Sequence, residues 1–282
     1  MTDTSFDLSG KLPLELEAVL QRVAGLLAAQ GVAFFVVGAL ARDLLLEHVW
    51  NLPPQRATKD VDFGVRLGNW QEFAALKEAL CATGEFQTEA RQPQRLFHQC
   101  GVVVDLVPFG ALERPPGSIQ WPPADAVRMT TLGFQEAYDC AVQVSFGSGM
   151  RVPVCPPDGL ALLKLLAWNE RRERKDASDL GVLLYSYLEA GNQERLFTEH
   201  TDLLEVADNK QAGARLLGRD WRKLLNAQSR PLVVAILTRE TSSTGRYQLV
   251  SSLTASCTFL DGEIDRALVL LEAVAQGIHD EI

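Results

Sequence analysis

Two carboxylates stand two residues apart in Thr58-Lys59-Asp60-Val61-Asp62-Phe63, a stretch with the alternation of a strand. On a strand this spacing sends both side chains from one face, with α-carbons roughly 7 Å apart. Two negative charges that close repel unless a cation sits between them, and Mg²⁺ or Mn²⁺ suits such oxygen donors. Alone the pair is a weak signal, because Asp-x-Asp often arises on exposed strands. Asp105 strengthens it by interrupting the apolar run Val102-Val103-Val104-Asp105-Leu106-Val107. A carboxylate without a partner there would cost several kcal/mol. A metal shared with Asp60 and Asp62 from a neighbouring strand would supply the partner; the plainer alternative is a strand-end Asp reaching water or an arginine. Three carboxylates around paired divalent ions would clamp the attacking and leaving oxygens of a phosphoryl-type transfer. One Asp would orient or deprotonate an acceptor hydroxyl, with no protein nucleophile required.

The elements that must position these acids follow from periodicity. Leu14, Leu16, Val19, Leu20, Val23, Leu26 and Leu27 recur at helical spacing before Gly31, which predicts an amphipathic helix over 13–30. Val32 to Val37 is a short apolar run of β-branched and aromatic residues, the mark of a strand buried on both faces. It ends at Gly38-Ala39, and helical spacing resumes from Leu40 to His48. A turn between a buried strand and a helix directs backbone N–H groups and the positive helix end outward, which can cradle phosphate; many such glycines serve only to turn. Asn51 to Arg56 reads as a proline loop, 60–66 as a strand and 70–83 as a helix, with short strands at 86–88, 95–98 and 101–107. A glycine-rich hairpin is expected over 142–154, and strong helical periodicity over 158–190, 210–226 and 258–277. The change of character after Pro156-Pro157 divides the chain into residues 1–155 and 156–282.

Bulk properties narrow the classes. The 282 residues exceed one ordinary core, and 47% apolar with 22% charged residues is the balance of a globular protein. A net charge of −9 excludes a surface that is basic throughout. Cys81, Cys100, Cys140, Cys155 and Cys257 lie far apart, with no zinc spacing, and read as reduced, mostly buried thiols. No apolar run approaches the roughly 20 residues that cross a bilayer, and no export signal is visible, so a cytoplasmic protein without membrane contact is expected.

Lys164, flanked by Leu163 and Leu165, needs an anionic partner if buried; a triphosphate would serve, and otherwise its stem lies along the surface with the ammonium in water. Arg171, Arg172, Arg174 and Lys175 cluster beyond it as a solvated face or a phosphate contact. Asp179 reads as a cap or surface acid. Arg42 and Asp43 are as well explained by an ion pair as by substrate contact. His48, His98, His200 and His279 suggest no general-base pair, and the basic stretch 210–230 reads as a solvated helix face before it reads as an RNA contact.

Val37-Gly38-Ala39-Leu40-Ala41-Arg42-Asp43, the proline loop and Lys59-Asp60-Val61-Asp62 resemble the head of the DNA polymerase β nucleotidyltransferase superfamily, including its CCA-adding branch. Lys164, followed by Lys175-Asp176, is more similar to the AbiEii-like toxin nucleotidyltransferases. The resemblance covers about residues 32–66, 101–110 and 156–185. It implies an α/β (α+β) fold, a mixed sheet with flanking helices, followed by a mainly helical C-terminal domain that completes a nucleotide and acceptor cleft. It implies Asp60, Asp62 and Asp105 as ligands of Mg²⁺ or Mn²⁺, and Gly38, Ala39, Lys59, Lys164 and Lys175 as nucleotide or phosphate contacts. Asp176 becomes an acid that either supports a contacting residue from behind or activates the acceptor. Ala39 departs from the Gly or Ser usual there and leaves only its backbone N–H for a phosphate. The reaction implied is transfer of a nucleoside monophosphate from an NTP to an acceptor hydroxyl, in a toxin acting on tRNA or protein with a cognate antitoxin as partner. The alternatives are an antibiotic-type small-molecule nucleotidyltransferase and a non-catalytic nucleotide-binding relative.

Overall fold

A computed structural model describes residues 5–54, 58, 60–89, 91–122, 127–206 and 208–281. The chain divides into two compact units, residues 1–156 and 157–282.

The first unit is built on strands β1 (Ser5–Asp7), β2 (Ala33–Val37), β3 (Asp60–Arg66), β4 (Phe86–Thr88), β5 (Arg95–His98), β6 (Val103–Phe109), β7 (Ser118–Gln120), β8 (Arg128–Thr130), β9 (Val142–Ser145) and β10 (Arg151–Val154). Eight of these form one mixed sheet in the order β1-β9-β10-β2-β3-β6-β5-β4, and β7 pairs with β8 alone. Helices α1 (Leu14–Ala29), α2 (Gly38–Asp43), α3 (Trp70–Ala82) and α4 (Phe134–Asp139) accompany the sheet. The expected αβαβαβββ order is present; β1, β7, β8 and α4 are additions that their few residues give no periodicity to announce.

Central position explains β2. It lies between β10 and β3, so Phe34, Phe35, Val36 and Val37 are all buried. On β3 the alternation is clean: Val61, Phe63 and Val65 are fully buried on one face, and Asp60 and Asp62 leave by the other. That second face is half apolar. At its far end Gly64 makes room for the Phe35 ring, since a Cβ there would lie 2.3 Å from it. Phe35 in turn meets Phe109, Phe134 and Tyr138 edge-on, at centroid distances of 5.8, 6.2 and 5.7 Å. Helix α3 starts on a capping box: Asn69 accepts from the Glu72 N–H at 2.9 Å, and the Glu72 carboxylate accepts from the Gly68 N–H at 2.6 Å.

Helix α2 does not stop at Asp43. It widens into a π-helical turn over Leu44–Val49, which closes on Asn51 at φ 55°.

The second unit is helical among its described residues: α5 (Pro157–Arg171), α6 (Arg174–Tyr185), α7 (Arg195–Thr198), α8 (Asn209–Leu224), α9 (Ser229–Thr241), α10 (Gln248–Ser256) and α11 (Ile264–His279). The expected helix over 158–190 is two helices, because Arg172 takes φ 57° and breaks the ladder. The one expected over 258–277 begins later, after Asp261 and Gly262 turn the chain at φ 52° and 73°. Helices α8 and α11 pack backbone to backbone: a Cβ on Gly218 would lie 2.2 Å from the Val274 carbonyl, and one on Gly277 2.0 Å from that of Arg215. No described helix is long and apolar enough to cross a membrane. All five cysteines are free thiols, but only Cys155 and Cys257 are buried, fewer than their apolar surroundings in sequence suggested.

Candidate active site

Register across four strands assembles the acidic cluster. Val37 of β2 pairs with Asp62 of β3, Asp62 with Asp105 of β6, and Asp105 with Arg95 of β5. These four residues form one rung, so their side chains rise from the same face. Asp60 stands two residues earlier on β3, opposite Val103, and shares that face. Asp60 is exposed, Asp62 half-buried and Asp105 buried.

Asp105 sits in mid-strand, and its partner is Arg95. The guanidinium Nε donates to Oδ1 at 2.9 Å and Nη2 to Oδ2 at 2.7 Å, a bidentate fork. An arginine is one of the partners open to this carboxylate, beside water and a metal, and the fold supplies it. The hydrogen bond to Asp105 holds the Arg95 guanidinium above its ordinary pKa, against partial burial, and the charges of Asp105, Asp60 and Asp62 add to the effect. Arg95 went unnoticed in the sequence because a lone arginine in Arg-Leu-Phe-His carries no motif; its role appears only when β5 is set beside β6.

Gly38 closes the other side of Asp62. Its φ is 71°, and a Cβ placed on it would lie 2.0 Å from Asp62 Oδ2. Only glycine meets both conditions. Ala39 follows as the second residue of α2. Lys59, expected to contact phosphate, lies outside the described residues. Two side chains set aside in the sequence prove to be organisers. Buried Arg42 donates to Asp43 Oδ1 through Nε at 2.8 Å and Nη2 at 2.6 Å, and the Thr58 hydroxyl donates to Asp43 Oδ2 at 2.6 Å. This ties the end of α2 to the residue two before Asp60, fixing where β3 enters the sheet.

In the helical unit, α5 and α6 carry a second charged cluster. Lys164 Nζ reaches Asp179 Oδ2 at 2.7 Å and Asp176 Oδ1 at 3.4 Å. Arg171 grips the same Asp176 through Nε at 2.6 Å and Nη2 at 2.7 Å. Asp176 and Asp179 are both buried, so Asp179 is no surface acid. The anion that Lys164 requires is supplied by the chain itself. Lys175 is exposed and pairs with Glu173 at 2.9 Å. The basic stretch 210–230 is also partly consumed within the unit: Arg215 and Arg219 both hold Asp280, and Arg219 holds Asp202 as well.

The donor set of the rung suits a hard divalent ion, being carboxylate oxygens on one face, with Asp62 flush against Gly38. Asp105 is drawn toward Arg95, and among the described residues no three carboxylate, imidazole or thiol groups converge closely enough to hold a metal ion.

A family model described as the nucleotidyl transferase AbiEii toxin of type IV toxin–antitoxin systems matches residues 26–239. No curated protein matches the chain. Among solved structures, an antigenic nucleotidyltransferase-like protein from Paracoccidioides brasiliensis aligns at 19% identity and TM-score 0.40, over 70% of this chain and 92% of that one. The antibiotic-resistance nucleotidyltransferase ANT(2")-Ia, solved with adenylyl-2"-tobramycin, aligns at 14% and 0.39, over 63% and 97%. A CCA-adding enzyme solved with ATP aligns at 15% and 0.34, over 95% and 64%. None of these scores reaches 0.5, so the family match carries the assignment.

Proposed function

The chain belongs to the AbiEii family of nucleotidyltransferase toxins, and from that premise we propose that it moves a nucleoside monophosphate from an NTP to an acceptor hydroxyl with the help of Mg²⁺ or Mn²⁺ at Asp60, Asp62 and Asp105. The observation that carries this reading is the rung: register alone brings Asp62 level with Asp105, with Asp60 on the same face and Gly38 against Asp62. A divalent ion bound there would neutralise charge building on the phosphates. Asp60, the exposed member, is placed to orient or deprotonate the incoming hydroxyl. Gly38 and Ala39 would offer backbone N–H groups to phosphate oxygens and Lys59 an ammonium group, whereas Lys164 is answered by Asp179 and Asp176 within its own helix pair and Lys175 by Glu173. Asp176 is buried between Arg171 and Lys164, so its contribution runs through the placing of Lys164, not through direct contact with an acceptor.

For the acceptor, the toxin family favours tRNA or a protein inside the host cell, with a cognate antitoxin as the second component. The net charge of −9 favours a small hydroxylated acceptor instead, since an acidic protein gains little from an RNA backbone. One experiment separates these. The protein is incubated with each α-labelled NTP and Mg²⁺, together with total tRNA, a cell protein extract or an aminoglycoside panel, and Asp62→Ala is run beside it. Label on tRNA or protein, with growth arrest on expression that Asp62→Ala relieves, supports the toxin; label on the small molecules alone supports the other acceptor. No label anywhere, and equal growth with and without Asp62, overturns the proposal.

A further inference from the structure

The bidentate pair between Arg95 and Asp105 has the geometry of a competitor, and we propose that Arg95 is a built-in counter-cation that sets how tightly the rung binds a divalent ion. This rests on the metal-binding reading above. Both oxygens of Asp105 are engaged, at 2.9 and 2.7 Å. The fork is aimed by backbone pairing, because Arg95 and Asp105 are direct partners across β5 and β6. The pair is mostly buried, with side-chain exposures of 25% and 13%, so water screens it weakly. Asp60 and Asp62 leave by the same face as Arg95, so its positive charge lowers the negative potential that would draw a divalent ion.

Two consequences follow. An ion gains Asp105 only by displacing one arm of the fork. Removing the guanidinium should release a third carboxylate and one opposing positive charge together, so ion affinity should rise while the ion-free protein loses stability through an uncompensated buried acid. That pairing of opposite effects is not what loss of a merely structural ion pair produces.

The test is a titration of the nucleotide-free protein with Mn²⁺, followed by electron paramagnetic resonance, in the wild type and in Arg95→Gln, Arg95→Lys and Asp62→Asn. Arg95→Gln is expected to bind Mn²⁺ about tenfold more tightly and to gain more thermal stability from the ion than the wild type does. Arg95→Lys, which keeps the charge but not the fork, should tighten binding by about threefold, and it carries the test if the Gln variant does not fold. Unchanged or weakened Mn²⁺ binding in the folded Arg95 variants, with binding lost in Asp62→Asn, overturns the role of Arg95 and leaves the metal reading standing. Full Mn²⁺ binding by Asp62→Asn overturns the metal reading itself.

Discussion

The sheet rung and the α5–α6 cluster use the same side-chain types to opposite ends. On the rung, Asp60, Asp62 and Asp105 share the face with the guanidinium of Arg95, which forks onto Asp105. Between α5 and α6, Asp176 and Asp179 are answered by Lys164 and Arg171. The first cluster is also the more open, with Asp60 exposed, whereas both acids of the second are buried. Carboxylates that reach the surface can recruit a cation from solution; carboxylates answered in the interior hold two helices in register. The difference predicts that one cluster fails in chemistry when altered, and the other in stability.

The largest effect is expected at Asp62. Asp62→Asn should lower nucleotidyl transfer by about a thousandfold or more, several kcal/mol of transition-state stabilisation, and leave the urea midpoint near that of the wild type. An active Asp62→Asn, or one that has lost its fold, would erase the distinction between the clusters. Next is Lys164→Met, which removes a cation from the buried carboxylates of Asp179 and Asp176. A destabilisation of about 3 kcal/mol is expected from urea unfolding. If Lys164→Met instead keeps its stability and loses only transfer, the helical cluster belongs with the chemistry and the comparison breaks. Gly38→Ala should fall between, because the new Cβ meets both a φ of 71° and the Asp62 carboxylate. About 2 kcal/mol of strain is expected, appearing partly as lost stability and partly as weakened Mn²⁺ binding in the same titration that tests Arg95.

The contrast also explains what the sequence disclosed. The acidic strand β3, the turn at Gly38 and the helical character after residue 156 are written in local patterns, alternation of two and spacing of three to four, and could be read directly. The partners of the charges could not. Arg95 reaches Asp105 through strand order, Asp43 reaches Thr58 around a proline loop, and Asp179 reaches Lys164 across a helical hairpin whose break at Arg172 no periodicity announced. Local sequence shows that a buried charge must be answered, whereas only the fold shows by what. Asp179 illustrates this: three residues beyond Asp176 it looked like a surface acid, and helix packing buried it.

A third charged group sharpens the rule to its limit. Asp158, in the first turn of α5, is influenced by Asp220, itself gripped by Arg195 at 2.6 and 2.7 Å and by the Tyr187 hydroxyl at 2.6 Å. Burial first, then the Asp220 charge, pushes the half-buried Asp158 carboxyl up to about 6, so this group takes a proton only below that pH. A carboxyl whose pKa is raised on folding contributes stability that is complete below its unfolded value and is lost as pH rises through about 6. Asp158→Asn removes that titration. The variant should therefore exceed the wild type in stability at pH 8 by about 1 to 2 kcal/mol, with the gap shrinking at pH 5, as measured by urea unfolding at both values. An equal gap at the two pH values would mean that Asp158 stays ionised in the fold. In that case burial beside a second acid would no longer separate a proton-taking group from the rung that is proposed to take a metal.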